Sequence, residues 1–216
     1  MIREFSSIEV LQILSGMWAT LILSAIAFVC GSCAGLAIAL ARTSPFRWLR
    51  IASGAYIDFF QGTPMLLQLF LVFYGLPVFG LRVSAWTAVT IGLTLHASAY
   101  LGEIWRGGIQ AVPKGQMEAA RALGLGAFSR MVDIVLPQGM RISLAPTVGF
   151  LVQLIKGTSL ASIIGFVELS RAAQIVSSTT YKPLIAYSVA GLFYFAICFP
   201  LSRLSAYLER RFTVKT

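Results

Sequence analysis

Residues 10–41 read "VLQILSGMWATLILSAIAFVCGSCAGLAIALA", and no charged side chain interrupts them. A bilayer core asks for about 20 apolar residues per helix, so this run spans with a turn or two to spare. Composition agrees. The chain of 216 residues is 57% hydrophobic and 12% charged, with a mean hydropathy of +0.82, whereas soluble domains carry roughly 25% charged residues. The opening "MIREFSSIEV" lacks the basic, apolar, small-residue order of a cleavable signal. The run that follows is too long for a signal core, so a retained transmembrane helix is expected.

Four further uncharged runs cover residues 59–81, 83–102, 142–155 and 183–202. The run at 142–155 has only 14 residues. It spans only if its helix begins near Met131 or continues past Lys156 toward Ile164. The expectation is an all-α integral membrane protein, one domain over 1–216, with about five transmembrane helices at roughly 12–41, 55–80, 84–106, 131–160 and 183–205. A polar connector at 107–130 joins the third to the fourth.

A net charge of +9 raises the question of nucleic acid, but such binders gather charge on one solvated face. Here the charges lie in short clusters between apolar runs, which suits anionic headgroups of a lipid bilayer and argues against nucleic acid. Five spans place the chain ends on opposite sides. Arg42, Arg47, Arg50, Arg106, Lys114, Arg121, Arg130, Arg141, Arg203, Arg210, Arg211 and Lys215 fall on one side. Arg3, Arg82, Lys156, Arg171 and Lys182 fall on the other. Cytoplasmic loops are the richer in Lys and Arg, so the N-terminus is expected outside and the C-terminus in the cytoplasm. "SSTT" at 177–180 reads as a solvated patch in the outer loop before the last span.

Within the connector, "PKGQMEAARALG" (113–124) has helix formers between a proline and a glycine. Proline suits a first helical position, and glycine closes a helix in the left-handed conformation. A short cytoplasmic helix is expected. Ala119, Ala120 and Ala122 leave its backbone approachable, and Glu118 and Arg121 can orient a partner through charge-assisted hydrogen bonds. Pro137 is expected to bend or punctuate the next helix.

Glu118-Ala119-Ala120, then Gly124 after three residues, then Ile134, Leu136 and Pro137 after nine, resemble the EAA loop of ABC-importer permeases. "FFQGTPMLLQLFLVFYGLP" (59–77), "AYLGEIWRGGIQAVPKGQMEAARALG" (99–124), "IVLPQGMRISLAP" (134–146), "KGTSLASIIGFVELSRAAQIV" (156–176) and "LERR" (208–211) resemble the polar amino-acid permeases of that family. The resemblance implies a type I importer bundle in the bacterial inner membrane. It also implies coupling to two ATPase subunits through Gly115, Glu118, Ala119, Ala120, Arg121 and Gly124, and an extracytoplasmic binding protein that delivers an amino-acid substrate. Gln61, Gly157 and Gly149-Phe150 depart from the group's usual Arg, Asp and Asn-polar pair. The apolar Phe150 argues against a cationic amino acid.

The chain has no G-x-x-x-x-G-K-[ST] cradle for ATP, so it is expected not to be an enzyme, with no cofactor of its own. ATP and Mg²⁺ belong on the partner ATPase. Five helices are too few to enclose a polar route, so a second permease subunit, identical or homologous, is expected. Polar groups inside spans are costly and become candidates to line that route. Gln68, His96, Gln153, Lys156, Thr158 and Ser159 qualify, and Phe150 joins them by position. Lys156 attracts a carboxylate or snorkels to headgroups. His96 reads first as a packed, hydrogen-bonded helix residue, and Gln68 and Gln153 as bonds across helices. No metal site is expected. Cys30 and Cys33 form a C-x-x-C that reads as small residues packed against a neighbouring helix, with Cys198 buried in the last span. The alternatives are a permease for another small polar solute (cystine, an opine), a thiol oxidoreductase using Cys30 and Cys33, and a structural anchor.

Overall fold

The structure, a computed structural model, describes residues 4–212. Arg3 and Lys215, both counted in the charge asymmetry, lie outside that range. Among the described residues all regular structure is helical: α1 (Ser7–Thr43), α2 (Arg47–Gly62), α3 (Met65–Val78), α4 (Ala85–Gln110), α5 (Lys114–Ala122), α6 (Ala127–Ile164), α7 (Leu169–Thr180) and α8 (Pro183–Phe212). The protein is an all-α integral membrane protein. By length and composition α1, α6 and α8 are able to cross a bilayer, and the bent pair α2–α3 makes a fourth candidate. The 26 residues of α4 rise about 39 Å, long enough as well. Its Thr, Ser, His and Gly content lowers its hydropathy. Neighbouring helices enclose much of it, with Ala88, Leu93, Ala97, Ser98 and Leu101 all buried.

α1 organises the bundle. Its start is fixed by a capping box, in which the Ser6 side chain accepts from Ile8 N–H and Glu9 reaches back to the Ser6 N–H. Along it Gly16, Thr20, Ser24, Ala27, Gly31, Gly35 and Ala39 are all buried. They recur every four residues with a single step of three, so they form one stripe of small side chains. α4 lies against the Gly31–Gly35 portion, and α7 against Gly16. Thr20 Oγ1 accepts from Leu169 N–H at 3.2 Å. The main core gathers Leu23, Ala27, Leu93, Leu101, Phe150 and Leu154. A second cluster joins Ile13 to Leu169, Val176 and Ala186. Trp18, Val29, Leu192 and Phe195 point outward and are exposed, as suits helices whose solvent is hydrocarbon.

Several expectations need correction. The span drawn at 55–80 is two helices meeting at 106°. Pro64 carries no N–H and holds Thr63 extended (φ −116°, ψ 142°), so the helix cannot continue. The helix drawn at 131–160 extends in both directions, and its last turns, Thr158–Ile164, tighten to 3-10 geometry. The connector drawn at 107–130 is shorter, because α4 runs to Gln110 and α6 begins at Ala127. Residues 177–180 are the last turn of α7 rather than a solvated loop. Their hydroxyls turn back onto the helix, Ser178 to Gln174 O, Thr179 to Ile175 O and Thr180 to Val176 O. Cys30 and Cys33 are free and exposed, not packed against a helix, since the buried stripe of α1 passes through Gly31 between them. Cys198 is buried as expected.

Pro137 neither stops nor ends a helix. A π-helical turn at Arg130–Val135 precedes it, and Leu136 N–H bonds five residues back to Met131 O. The wider turn makes room for a proline ring that would meet the carbonyl four residues earlier. Pro77 follows the π turn Leu71–Gly75 in the same register.

A Cβ at Gly31 would lie 2.6 Å from Ala97 Cβ. Gly31→Val is therefore expected to cost about 1–3 kcal/mol by overpacking, read as a lower melting temperature of the detergent-purified protein. Cys30→Val, one residue away on the exposed face, should leave it unchanged.

Candidate functional site

The break between α2 and α3 creates a polar problem and a polar site together. In an unbroken helix residue 64 would donate to Phe60 O, and proline has nothing to donate. Gln68, 4% exposed, supplies the donor. Its Nε2 lies 2.7 Å from Phe60 O, 3.0 Å from Thr63 O and 2.9 Å from Thr63 Oγ1. With Nε2 turned to three acceptors, Oε1 faces His96 Nδ1 at 2.9 Å. A carboxamide oxygen only accepts, so Nδ1 carries the proton, and in the neutral ring it is Nε2 that has the lone pair. Next to this pair the His96 ring lies 4.5 Å from Tyr100. Tyr100 stacks on Phe150 at 5.4 Å and 15°. Gln68, His96 and Phe150, expected separately from the sequence, form one cluster between α3, α4 and α6.

The remaining candidates do not join it. Gln153 and Lys156 are exposed on α6. The Lys156 side chain has no hydrogen bond or ion pair among the described residues and lies in a groove with Tyr194, Phe195, Cys198, Phe199 and Ser202. Thr158 is buried and donates to Ile155 O at 2.8 Å, and Ser159 donates to Lys156 O at 2.7 Å. These two hydroxyls satisfy the carbonyls of a tightened helix end.

The second feature is α5. Pro113 stands at its N-cap rather than at its first helical position. At its C-terminal end Leu125 N–H bonds to Ala120 O and Gly124 N–H to Arg121 O. Gly124 has φ +73°. This is a Schellman closure, which requires a left-handed residue and so selects glycine. Arg130 locks the following turn by donating to Leu125 O at 2.8 Å. Ala120 is buried, whereas Glu118, Ala119 and Arg121 are exposed. Glu118 and Arg121 have no partner among the described residues, and a Cβ at Gly115 would meet nothing within 4 Å. Leu123 and Phe128, each 79% exposed, stand beside this face. Sequence reasoning missed both, although each is an isolated large apolar residue in a charged connector. α4 and α6, which lead into and out of the connector, are tied by Trp105 Nε1–H donating to Thr147 Oγ1 at 3.0 Å and Ser143 to Ile104 O at 3.3 Å.

Glu168 was also missed. Fully buried, it caps α7 by accepting from Ser170 N–H and Arg171 N–H, and it accepts from Tyr194 O–H at 2.9 Å. An acid between apolar neighbours in "FVELS", in a chain with eight acids, was the available signal.

Three comparisons bear on this arrangement. Residues 31–214 match the family described as the binding-protein-dependent transport system inner membrane component. A probable amino-acid ABC transporter permease of Bacillus subtilis, YckA, is 38% identical, covering 93% of this chain and 88% of that one. A probable glutamine ABC transporter permease of the same organism, GlnM, is 37% identical, covering 92% of each. Among solved structures, an amino acid ABC transporter with histidines superposes at a TM-score of 0.87 and 36% identity, covering 93% of this chain and 94% of that one.

Gln68→Leu keeps the bulk and removes both the donor to the α2–α3 break and the acceptor to His96. The exposed carbonyls should cost about 1–3 kcal/mol, read as a lower melting temperature. The ¹⁵N signals of His96 should lose the fixed Nδ1–H tautomer.

Proposed function

The chain belongs to the family of binding-protein-dependent transport system inner membrane components, and from that premise we propose that it is the permease subunit of an ATP-driven importer for amino acids. Five spans, counting α2–α3 as one and α4 as another, put the N-terminus outside and the C-terminus in the cytoplasm of a bacterial inner membrane. The observation that carries the reading is α5: a short helix closed at its C-terminal end by Gly124, with the charges of Glu118 and Arg121 unpaired among the described residues and Leu123 and Phe128 bare beside them. A surface that offers charge and apolar knobs without internal partners suits a docking partner. Here that partner is a separate ATPase subunit, which holds the ATP and Mg²⁺. The small lateral motion of an ATPase pair would enter at α5 and pass through the α4–α6 crossing, turning each permease of a pair against the other as a rigid body. An extracytoplasmic binding protein brings the amino acid to the outer face.

The Gln68–His96–Tyr100–Phe150 cluster suits a lining for an amino acid. His96 Nε2 is an acceptor held in place by Gln68, matched to an ammonium group. Lys156, in its separate groove against α8, offers a cation for the carboxylate at another point of the route. One relative, the L-cystine transport system permease protein TcyB of Bacillus subtilis, is 38% identical over 91% of this chain, which supports cystine as a second reading of the cargo. The exposed, unlinked Cys30 and Cys33 have no acid, base or third thiol bonded to them among the described residues, so thiol chemistry gains no support.

Glu118→Lys is expected to weaken ATPase binding by about 1.5–3 kcal/mol, the worth of a charged hydrogen bond, while membrane insertion is unchanged. Co-purification of the ATPase reads this, and undiminished recovery would end the docking assignment. Lys156→Gln should raise the KM of proteoliposome transport by roughly tenfold through loss of a charged contact. Unaltered affinity and rate would remove Lys156 from the pathway.

A further inference from the structure

The turn from α1 to α2, "RTSPFRWLR" at 42–50, is more elaborately built than a connector needs. Arg50 donates to Ser44 O at 3.0 Å and Pro45 O at 2.9 Å, which fixes the turn. Arg42 donates to Arg50 O at 3.4 Å, and its guanidinium lies so close over α2 that a Cβ at Gly54 would be 3.3 Å from Cζ. The Arg42 Nε is buried without an acceptor. Arg47 is exposed with no partner among the described residues. The three guanidiniums line one groove with Ile51, Gly54, Ala55 and a single acid, Asp58, which forms no ion pair with any of them. Phe46, the N-cap of α2, provides no side-chain cap, so the first-turn N–H groups of α2 have no side-chain acceptor.

Three cations, an unpaired buried donor and an uncapped helix start ask for an anion with several acceptor oxygens. The flanking side chains say where that anion resides. Phe46, Trp48 and Ile51 are 61%, 67% and 60% exposed, and exposed aromatics beside arginines belong at the boundary between headgroups and acyl chains. We propose that the Arg42–Arg47–Arg50 groove binds the phosphate of an anionic phospholipid headgroup. Its acyl chains pass over Trp48 and Ile51. Arg42 and Arg50 also line the adjoining groove with Lys114 and Met117 of α5, so the headgroup sits against the same end of the bundle as that helix.

The test follows Trp48 fluorescence in the full chain, purified with the subunits that accompany it and placed in lipid nanodiscs. The Trp48 part of the emission is obtained by difference from Trp48→Phe. Brominated phosphatidylglycerol should quench it more than brominated phosphatidylcholine at equal mole fraction. Arg47→Gln, which breaks no side-chain bond among the described residues, should reduce that preference by about fivefold, the share of one arginine near an anionic surface. Asp58→Asn should raise it. Equal quenching by the two lipids, or a preference untouched by Arg47→Gln, would overturn the site. A preference erased by inorganic phosphate at constant ionic strength would assign the groove to soluble phosphate and overturn the lipid.

Discussion

The bundle depends on how closely two other helices approach α1. Lipid chains are as apolar as leucine, so burial against a neighbour gains little inside a bilayer, and close packing must supply the association. The stripe from Gly16 to Ala39 allows it. α4 settles against the portion around Gly31 and Gly35, and α7 against Gly16. Once α4 is seated, α6 can cross it at Trp105–Thr147, and α8 closes on α6 through Ser205 donating to Ala145 O at 2.8 Å. Larger residues along the stripe would push α4 outward and carry the polar cluster and the connector with it.

A second constraint comes from the backbone. Hydrocarbon provides no partner for a peptide N–H or C=O, so each interruption of a helix must be answered locally. Pro77 and Pro137 are absorbed by π turns. At Pro64 the chain does break, and a side chain fills in: Gln68 takes the place of the missing N–H at Phe60 O. This bond orients the glutamine, the glutamine fixes the tautomer of His96, and His96 begins the stack with Tyr100 and Phe150. A structural repair thus becomes a defined arrangement of polar atoms within the membrane.

The proposed mechanics use the same logic. A helix that receives force must be stiff, exposed and joined to something that does not yield. α5 is closed by Gly124, Arg130 holds the turn after it, and α4 and α6 are bonded to one another on the bundle side. Displacement of α5 would move two packed helices together instead of being lost in a slack loop.

Much of this was legible in the sequence, and unevenly. The uncharged run at 10–41, the low charge content and the punctuated helix at 113–124 follow from local chemistry: hydropathy, helix propensity and the demands of proline and glycine. Membrane class, an all-helical fold and the α5 segment therefore needed no coordinates. The small-residue stripe of α1 stood in the sequence as well, as a period of four, but a period of four does not say which helix fills it. The break within 55–80 stood in the sequence at Pro64, though not its angle; only the tertiary structure decided that 177–180 is helical, that Cys30 and Cys33 face outward, and that Glu168 is a buried cap. It alone joined Gln68, His96 and Phe150, separated by 28 residues at the closer pair, and left Lys156 and Gln153 apart on another face. Such pairings depend on which helix faces meet, and that is set by packing between distant segments, about which local propensity carries no information.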